Sequence, residues 1–219
     1  MNSALIQLLV LAGIAVFLVL RLRNVLGTRD GYEPPAELSE KAVSKPARGF
    51  EVIDGGVDRD IADHLDPESR AGKACASMKR VEPDFSVSEF SDGARQAYEI
   101  ILMAFEGDDL ETLKDFLSAD VYNSFEAVIR ERQENSLTVH ANFIGVRELK
   151  VTDAMFDDAN NEAEITMKFV GEITSCVKNA AGDVIEGDPA VIKRQKDIWT
   201  FARIMGSDNP NWELVATGD

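Results

Sequence analysis

Two patterns predict an α+β domain in the second half of this chain. From Ser86 onward apolar residues recur at three- and four-residue steps, and after Asn135 they alternate with polar ones. No fresh helical pattern separates the alternating segments. The strands are therefore expected to pair antiparallel rather than as βαβ units.

In Ser86–Glu106 the stripe Phe90, Ala94, Ala97, Ile101 and Phe105 marks one helical face. Ser86 or Ser88 is a candidate N-cap, and Gly107 is expected to close the helix as a left-handed C-cap. Asp108 and Asp109 open a short second helix bearing Leu110, Leu113, Phe116 and Leu117. Ser118 caps a third, with Val121, Phe125, Val128 and Ile129 on one face. Leu137–Val151 then reads as a strand region broken near Gly145. Next, Ala163, Ile165, Met167, Phe169 and Ile173 alternate with Glu164, Thr166, Lys168, Glu172 and Thr174, the mark of a long half-buried antiparallel strand. A turn at 179–183, a strand over Lys193–Arg203, a turn at 207–211 and a last strand over Trp212–Thr217 follow.

The chain begins differently. Ala4–Leu20 reads ALIQLLVLAGIAVFLVL, with Gln7 its one polar side chain. As a helix it spans about 26 Å, close to a hydrocarbon core of about 30 Å. A cleaved secretory signal is the competing reading, but no basic residue precedes the run and no small-x-small site follows it. Arg21, Arg23 and Arg29 come after it instead. Basic side chains on that side predict a single-pass anchor, 1–26, with the remainder of the chain cytoplasmic. Arg21 and Arg23 form the anchor flank, long enough to reach the headgroups.

Residues 27–81 read as an acidic flexible linker. Five of the seven prolines fall between Gly27 and Asp84, together with Gly49, Gly55, Gly56 and Gly72. Two parts stand out: the apolar island Phe50-Glu51-Val52-Ile53, a candidate docking segment, and Glu68–Val81, a candidate weak helix whose Arg70, Lys73, Lys79 and Arg80 could touch lipid headgroups; an idle linker is the simpler account of both. The folded domain is assigned to 82–219.

Composition excludes more than it assigns. A formal net charge of −16 repels phosphate backbones, so no nucleic-acid partner is expected. Cys75 and Cys176 lack CxxC spacing and read as free thiols, with a single disulfide the alternative. His64 and His140 have no further ligand at metal-binding spacing, and neither a metal nor a cofactor is expected.

Several motifs in 82–219 are distinctive. They are Glu82-Pro83-Asp84-Phe85, Phe90 with Gly93-Ala94-Arg95, and Ala104-Phe105-Glu106-Gly107-Asp108. To these are added Val184-Ile185-Glu186-Gly187-Asp188, Asp197-Ile198-Trp199-Thr200-Phe201-Ala202-Arg203, and Asn209-Pro210-Asn211-Trp212-Glu213-Leu214-Val215-Ala216-Thr217. In this order they resemble the Tim-forty-four-like family, from about Val81 to the end. That family takes its name from the mitochondrial inner-membrane translocase subunit that tethers the import motor, and it includes anchored bacterial members. The resemblance implies a nuclear-transport-factor-two-like cone, helices over a curved antiparallel sheet, at a bacterial inner membrane. It implies tethering and binding rather than catalysis. Where the mitochondrial protein has a long basic chaperone-recruiting region, this chain has a short acidic segment, so recruitment of a DnaK-type chaperone is not among the expectations.

Three functions are weighed on these residues. The first is a membrane-tethered adaptor that binds membrane or translocation-related proteins. The second is a lipid-binding cone, with Phe105, Ile165, Met167 and Phe169 lining a pocket for an acyl chain; ordinary core packing is the simpler account of the same side chains. The third is an isomerase- or dehydratase-like enzyme, which needs a carboxylate beside Tyr98, Tyr122 or His140, and no sequence feature supplies one. Catalytic residues are accordingly not assigned.

Overall fold

The computed structural model describes residues 58–218. The expected anchor with Arg21 and Arg23, most of the linker, and the 50–53 island lie outside the described residues. Among those described, no helix is long and apolar enough to cross a membrane.

Five helices precede four strands: α1 (Arg59–Ala62), α2 (Arg70–Val81), α3 (Val87–Glu106), α4 (Leu110–Lys114) and α5 (Ala119–Glu134), then β1 (Thr138–Asp157), β2 (Glu162–Lys178), β3 (Val184–Ile204) and β4 (Glu213–Gly218). The strands form one antiparallel sheet in the order β1-β2-β3-β4. The α+β expectation holds, and it holds because the period changes where the chain stops making helices.

The longest helix, α3, follows its signals closely. Ser86 is its N-cap, its hydroxyl accepting from the Glu89 amide at 3.2 Å. Phe90, Ala94 and Ile101 lie in the core as the stripe requires. The C-terminus differs from expectation: Gly107 has φ −89°, and the left-handed residue is Asp108 at φ 57°. An aspartate tolerates that region better than most side chains, so the turn falls one residue later.

The alternation in β2 is also obeyed. Ala163, Ile165, Met167 and Phe169 have no exposed surface, and they pack with Trp199 and Phe201 of β3, Leu214 of β4 and the helices. Glu172, on the opposite face, departs from simple exposure at 4%. Arg147 and Arg194 cover it, their Nε atoms donating to its carboxylate at 2.7 and 3.1 Å. Those two hydrogen bonds hold its carboxyl below the usual range. β1 is a single strand past Gly145, where a register shift between Phe143 and Gly145 replaces the expected break.

The stretch 59–81, read from sequence as linker with a weak helix over Glu68–Val81, forms α1 and α2 and joins the core. Ile61, Ala71, Cys75 and Met78 are buried. Spacing of 71, 75 and 78 makes a narrow helical face on which Met78 is the one large side chain. Gly72 itself supplies close approach rather than flexibility, since a Cβ there would lie 2.3 Å from the Asp66 carbonyl oxygen. Asp60 fastens α1 to the start of α3, accepting from the Ser86 hydroxyl at 2.9 Å and from the Val87 and Ser88 amides at 2.8 and 2.9 Å. Lys79 of α2 reaches the same carboxylate at 2.7 Å. The basic residues of α2 therefore divide: Lys79 is an internal tie, while Arg70 pairs with Asp153 on β1.

Candidate functional site

Four of the six motifs that carry the family resemblance, distant in sequence, converge on one cleft. It has a volume of about 490 Å³ and lies between the first half of α3, the loop before β4 and the segment after α4. Glu82, Asp84, Phe85, Phe90, Gly93 and Ala94 come from the first motifs, and Phe201, Arg203, Asn211 and Trp212 from the last two.

Its floor is aromatic. Phe90 meets Trp212 at 4.7 Å between ring centroids and Phe201 edge-on at 6.0 Å, and Phe85 stands 6.0 Å from Trp212. Gly93 faces open space, since a Cβ there would meet no atom within 4 Å. Arg203 forms part of the wall, its side chain only 7% exposed. One guanidinium nitrogen donates to both oxygens of Glu82 at 2.7 and 2.8 Å, and the group lies 5.3 Å from the Trp212 centroid. Burial raises the Glu82 pKa, but Arg203 and the Gly206 amide outweigh it and hold the carboxyl below its ordinary range. The Arg203 Nε has no protein acceptor among the described residues.

The rim is acidic. Asp84, Glu89 and Asp115 are exposed, with no cation against them among the described residues. An apolar, aromatic floor below a carboxylate rim suits a ligand that is itself apolar with basic groups at its edge.

The sequence-predicted pocket residues lie elsewhere. Ile165, Met167 and Phe169 are sealed in the core, and none of them lines this cleft. Phe105 is half-buried, packed on Phe125 at 4.7 Å and covered by the Arg132 guanidinium at 4.3 Å. The expected acid–base candidates are also located. Tyr98 has no exposed surface, donates to Asp197 Oδ2 at 2.6 Å and stacks on Phe169 at 4.4 Å. Burial and the Asp197 carboxylate hold its phenol far above the ordinary value. Tyr122 packs against the edge of the core. His140, exposed on β1, lines a second opening of about 470 Å³ beside Glu106, whose carboxyl burial raises above its usual range.

Sequence reasoning did not assign the cleft as a site. The signal was present in the motifs themselves: an aromatic at 85, 90, 201 and 212, with an arginine at 203 and an acid at 82. Only their convergence was missing.

Comparison with known proteins agrees with the motif reading. Residues 71–219 match the Tim44-like domain. The mitochondrial import inner membrane translocase subunit TIM44 of Rattus norvegicus is 23% identical over 159 residues, 71% of this chain and 35% of that protein. The probable subunit tin-44 of Caenorhabditis elegans is 24% identical over 165 residues, 73% of this chain and 38% of that protein. The chain thus matches little more than a third of the length of these curated relatives. A solved structure, the intermembrane space region of the chloroplast protein ARC6, is 13% identical, covers 58% of this chain and 94% of its own, and reaches a TM-score of 0.40. That value is too low to argue from. With two-thirds of its length matched in register, the chain belongs to the Tim44-like domain family.

Proposed function

We propose that this chain is a membrane-tethered, non-enzymatic adaptor whose C-terminal domain seats a segment of another protein in the aromatic, acid-rimmed cleft. The observation that carries this reading is the convergence of four of the resemblance motifs on that cleft. The curated relatives are named as subunits of a mitochondrial inner-membrane translocase. By analogy the adaptor serves translocation, membrane-protein insertion or envelope quality control at a bacterial inner membrane. The hydropathy of 1–26 supports a single-pass anchor with the domain on the cytoplasmic side. The domain itself is taken to begin near Asp58, with α1 and α2, and to be a nuclear-transport-factor-two-like cone.

The test uses the full chain in its own membranes. A photo-crosslinking side chain is placed at Asn211, on the cleft wall, and at Lys150 on the far face as a control. Capture of an apolar, basic protein segment from Asn211 alone, lost when Gly93→Trp fills the cleft, supports the reading. Equal capture from both positions, or capture indifferent to Gly93→Trp, overturns it. An acyl chain is the second occupant considered, and native mass spectrometry of the same preparation identifies it by mass.

A further inference from the structure

We propose that the free edge of β3 pairs with the same edge of a second copy of this chain, antiparallel, about a two-fold axis near Val191. β3 runs from Val184 to Ile204, but β4 covers only Ile198–Ala202. Ahead of Ile198 the outer edge of β3 has no strand beside it among the described residues. This stretch also carries unusual apolar exposure for such an acidic chain. Val184, Ile185, Val191 and Ile192 are 49%, 54%, 50% and 54% exposed.

The middle of the edge is locally irregular. β2 pairs Ile173 with Lys193 and Ser175 with Asp188, so Thr174 faces the whole stretch Pro189–Ile192. That bulge pushes Val191 and Ile192 outward, and the Ala190 amide is turned back onto Asp188 Oδ1 at 2.8 Å. Pro189 brings no donor. A continuous backbone ladder is therefore blocked at the centre, and the contact there is made by aliphatic side chains.

Charge selects the partner and its direction. Glu186 and Asp188 precede the apolar centre, and Lys193, Arg194 and Lys196 follow it, all exposed. Antiparallel pairing centred on Val191 sets Glu186 opposite Lys196 and Asp188 opposite Arg194, twice over by symmetry. Parallel pairing of two such edges would set acid against acid and base against base. An edge that is apolar at its middle and opposite in sign at its ends is complementary to itself. The net charge of −16 opposes contact between copies elsewhere, which concentrates self-association on this one balanced stretch.

Charge exchange tests the proposal without touching the core. The full chain in detergent is studied by sedimentation equilibrium, and by disulfide formation after Val191→Cys. The parent chain is expected to be dimeric, with the two introduced thiols linking across the axis. Glu186→Lys and Lys196→Glu singly set like charges together at both ends, and each is expected to weaken the dimer about tenfold, equivalent to about 1.4 kcal/mol. The double exchange Glu186→Lys/Lys196→Glu restores opposite pairs and is expected to recover the dimer. A monomeric parent chain overturns the proposal. So does a dimer that ignores the single exchanges, or one that the double exchange fails to restore.

Discussion

Arg203 on β3 holds both oxygens of Glu82, 121 residues away in sequence, through one guanidinium nitrogen at 2.7 and 2.8 Å. This pair closes the domain across the candidate cleft, joining the end of α2 to the far end of the sheet.

Because the Arg203 side chain is 7% exposed and the Glu82 side chain 30%, the two partners should not cost the same when removed. Glu82→Gln leaves a buried guanidinium with a weaker acceptor and is expected to destabilise by about 2–3 kcal/mol. Arg203→Ala also removes packing against Trp212 and is expected to cost more, about 3–5 kcal/mol. Urea denaturation followed by circular dichroism ranks them. Equal and small losses would show that the pair is not a structural tie.

Asp60 should give the fold a pH-dependent share of its stability. Burial raises its pKa, yet the Lys79 ammonium and the Ser88 and Val87 groups more than compensate and hold it well below the ordinary 3.8. A folded pKa below the unfolded one gives stability that is complete above about pH 4 and is lost as pH falls toward the folded value. Asp60→Asn is expected to destabilise by about 2–3 kcal/mol at neutral pH. Its deficit should shrink steadily below about pH 4. A deficit that stays constant with pH would place the loss outside this ionisation.

Gly171 and Tyr98 should behave as a coupled pair. A Cβ on Gly171 would lie 2.8 Å from the Tyr98 Oη and 3.0 Å from its Cε1. Gly171→Ala is expected to cost about 1–3 kcal/mol through overpacking. Tyr98→Phe removes the hydroxyl in the way, so the double variant should be less destabilised than the sum of the single ones. Tyr98 should also fail to form phenolate while folded. Its raised pKa contributes stability that is present up to the ordinary tyrosine value of 10.0 and lost at higher pH. Phenolate absorbance during alkaline unfolding reads this directly.

The natural thiols should be silent. Cys75 has no exposed surface and Cys176 only 2%. Burial, with the nearby Asp60 carboxylate second, pushes the Cys75 thiol up to about 11. Neither cysteine is therefore a useful reporter of which side of the membrane the domain occupies. Ala181→Cys, on the exposed turn between β2 and β3, is expected to react where they do not. Labelling of that thiol by an impermeant reagent only after the membrane is opened agrees with a cytoplasmic domain; labelling in intact spheroplasts reverses the orientation.

Legibility varied with the range of the interactions involved. The helix of Phe90 to Phe105 and the strand of Ala163 to Ile173 were visible because each buries one face and so fixes its own period. The Ser86 cap was visible because its partner is three residues away. By contrast α2 was visible only as a weak helix over Glu68–Val81; what stayed hidden was that Ala71, Cys75 and Met78 are buried in the core. Glu172 looked like an exposed strand residue until Arg147 and Arg194, from the two neighbouring strands, closed over it. Ile165, Met167 and Phe169 are fully buried, as their alternation required, but alternation says which side a residue faces, not whether space remains there.

By itself, then, the sequence determined the α+β class, the family and the order of elements, all of which follow from local periodicity and from motifs read in line. The tertiary structure alone decided that α1 and α2 pack into the core, that Tyr98 is a core residue tied to Asp197, and that Glu82, Phe90, Arg203 and Trp212 share one cleft. The reason is physical. Burial and convergence depend on which distant segments the sheet brings together, and no periodicity within one segment records the neighbour it will meet.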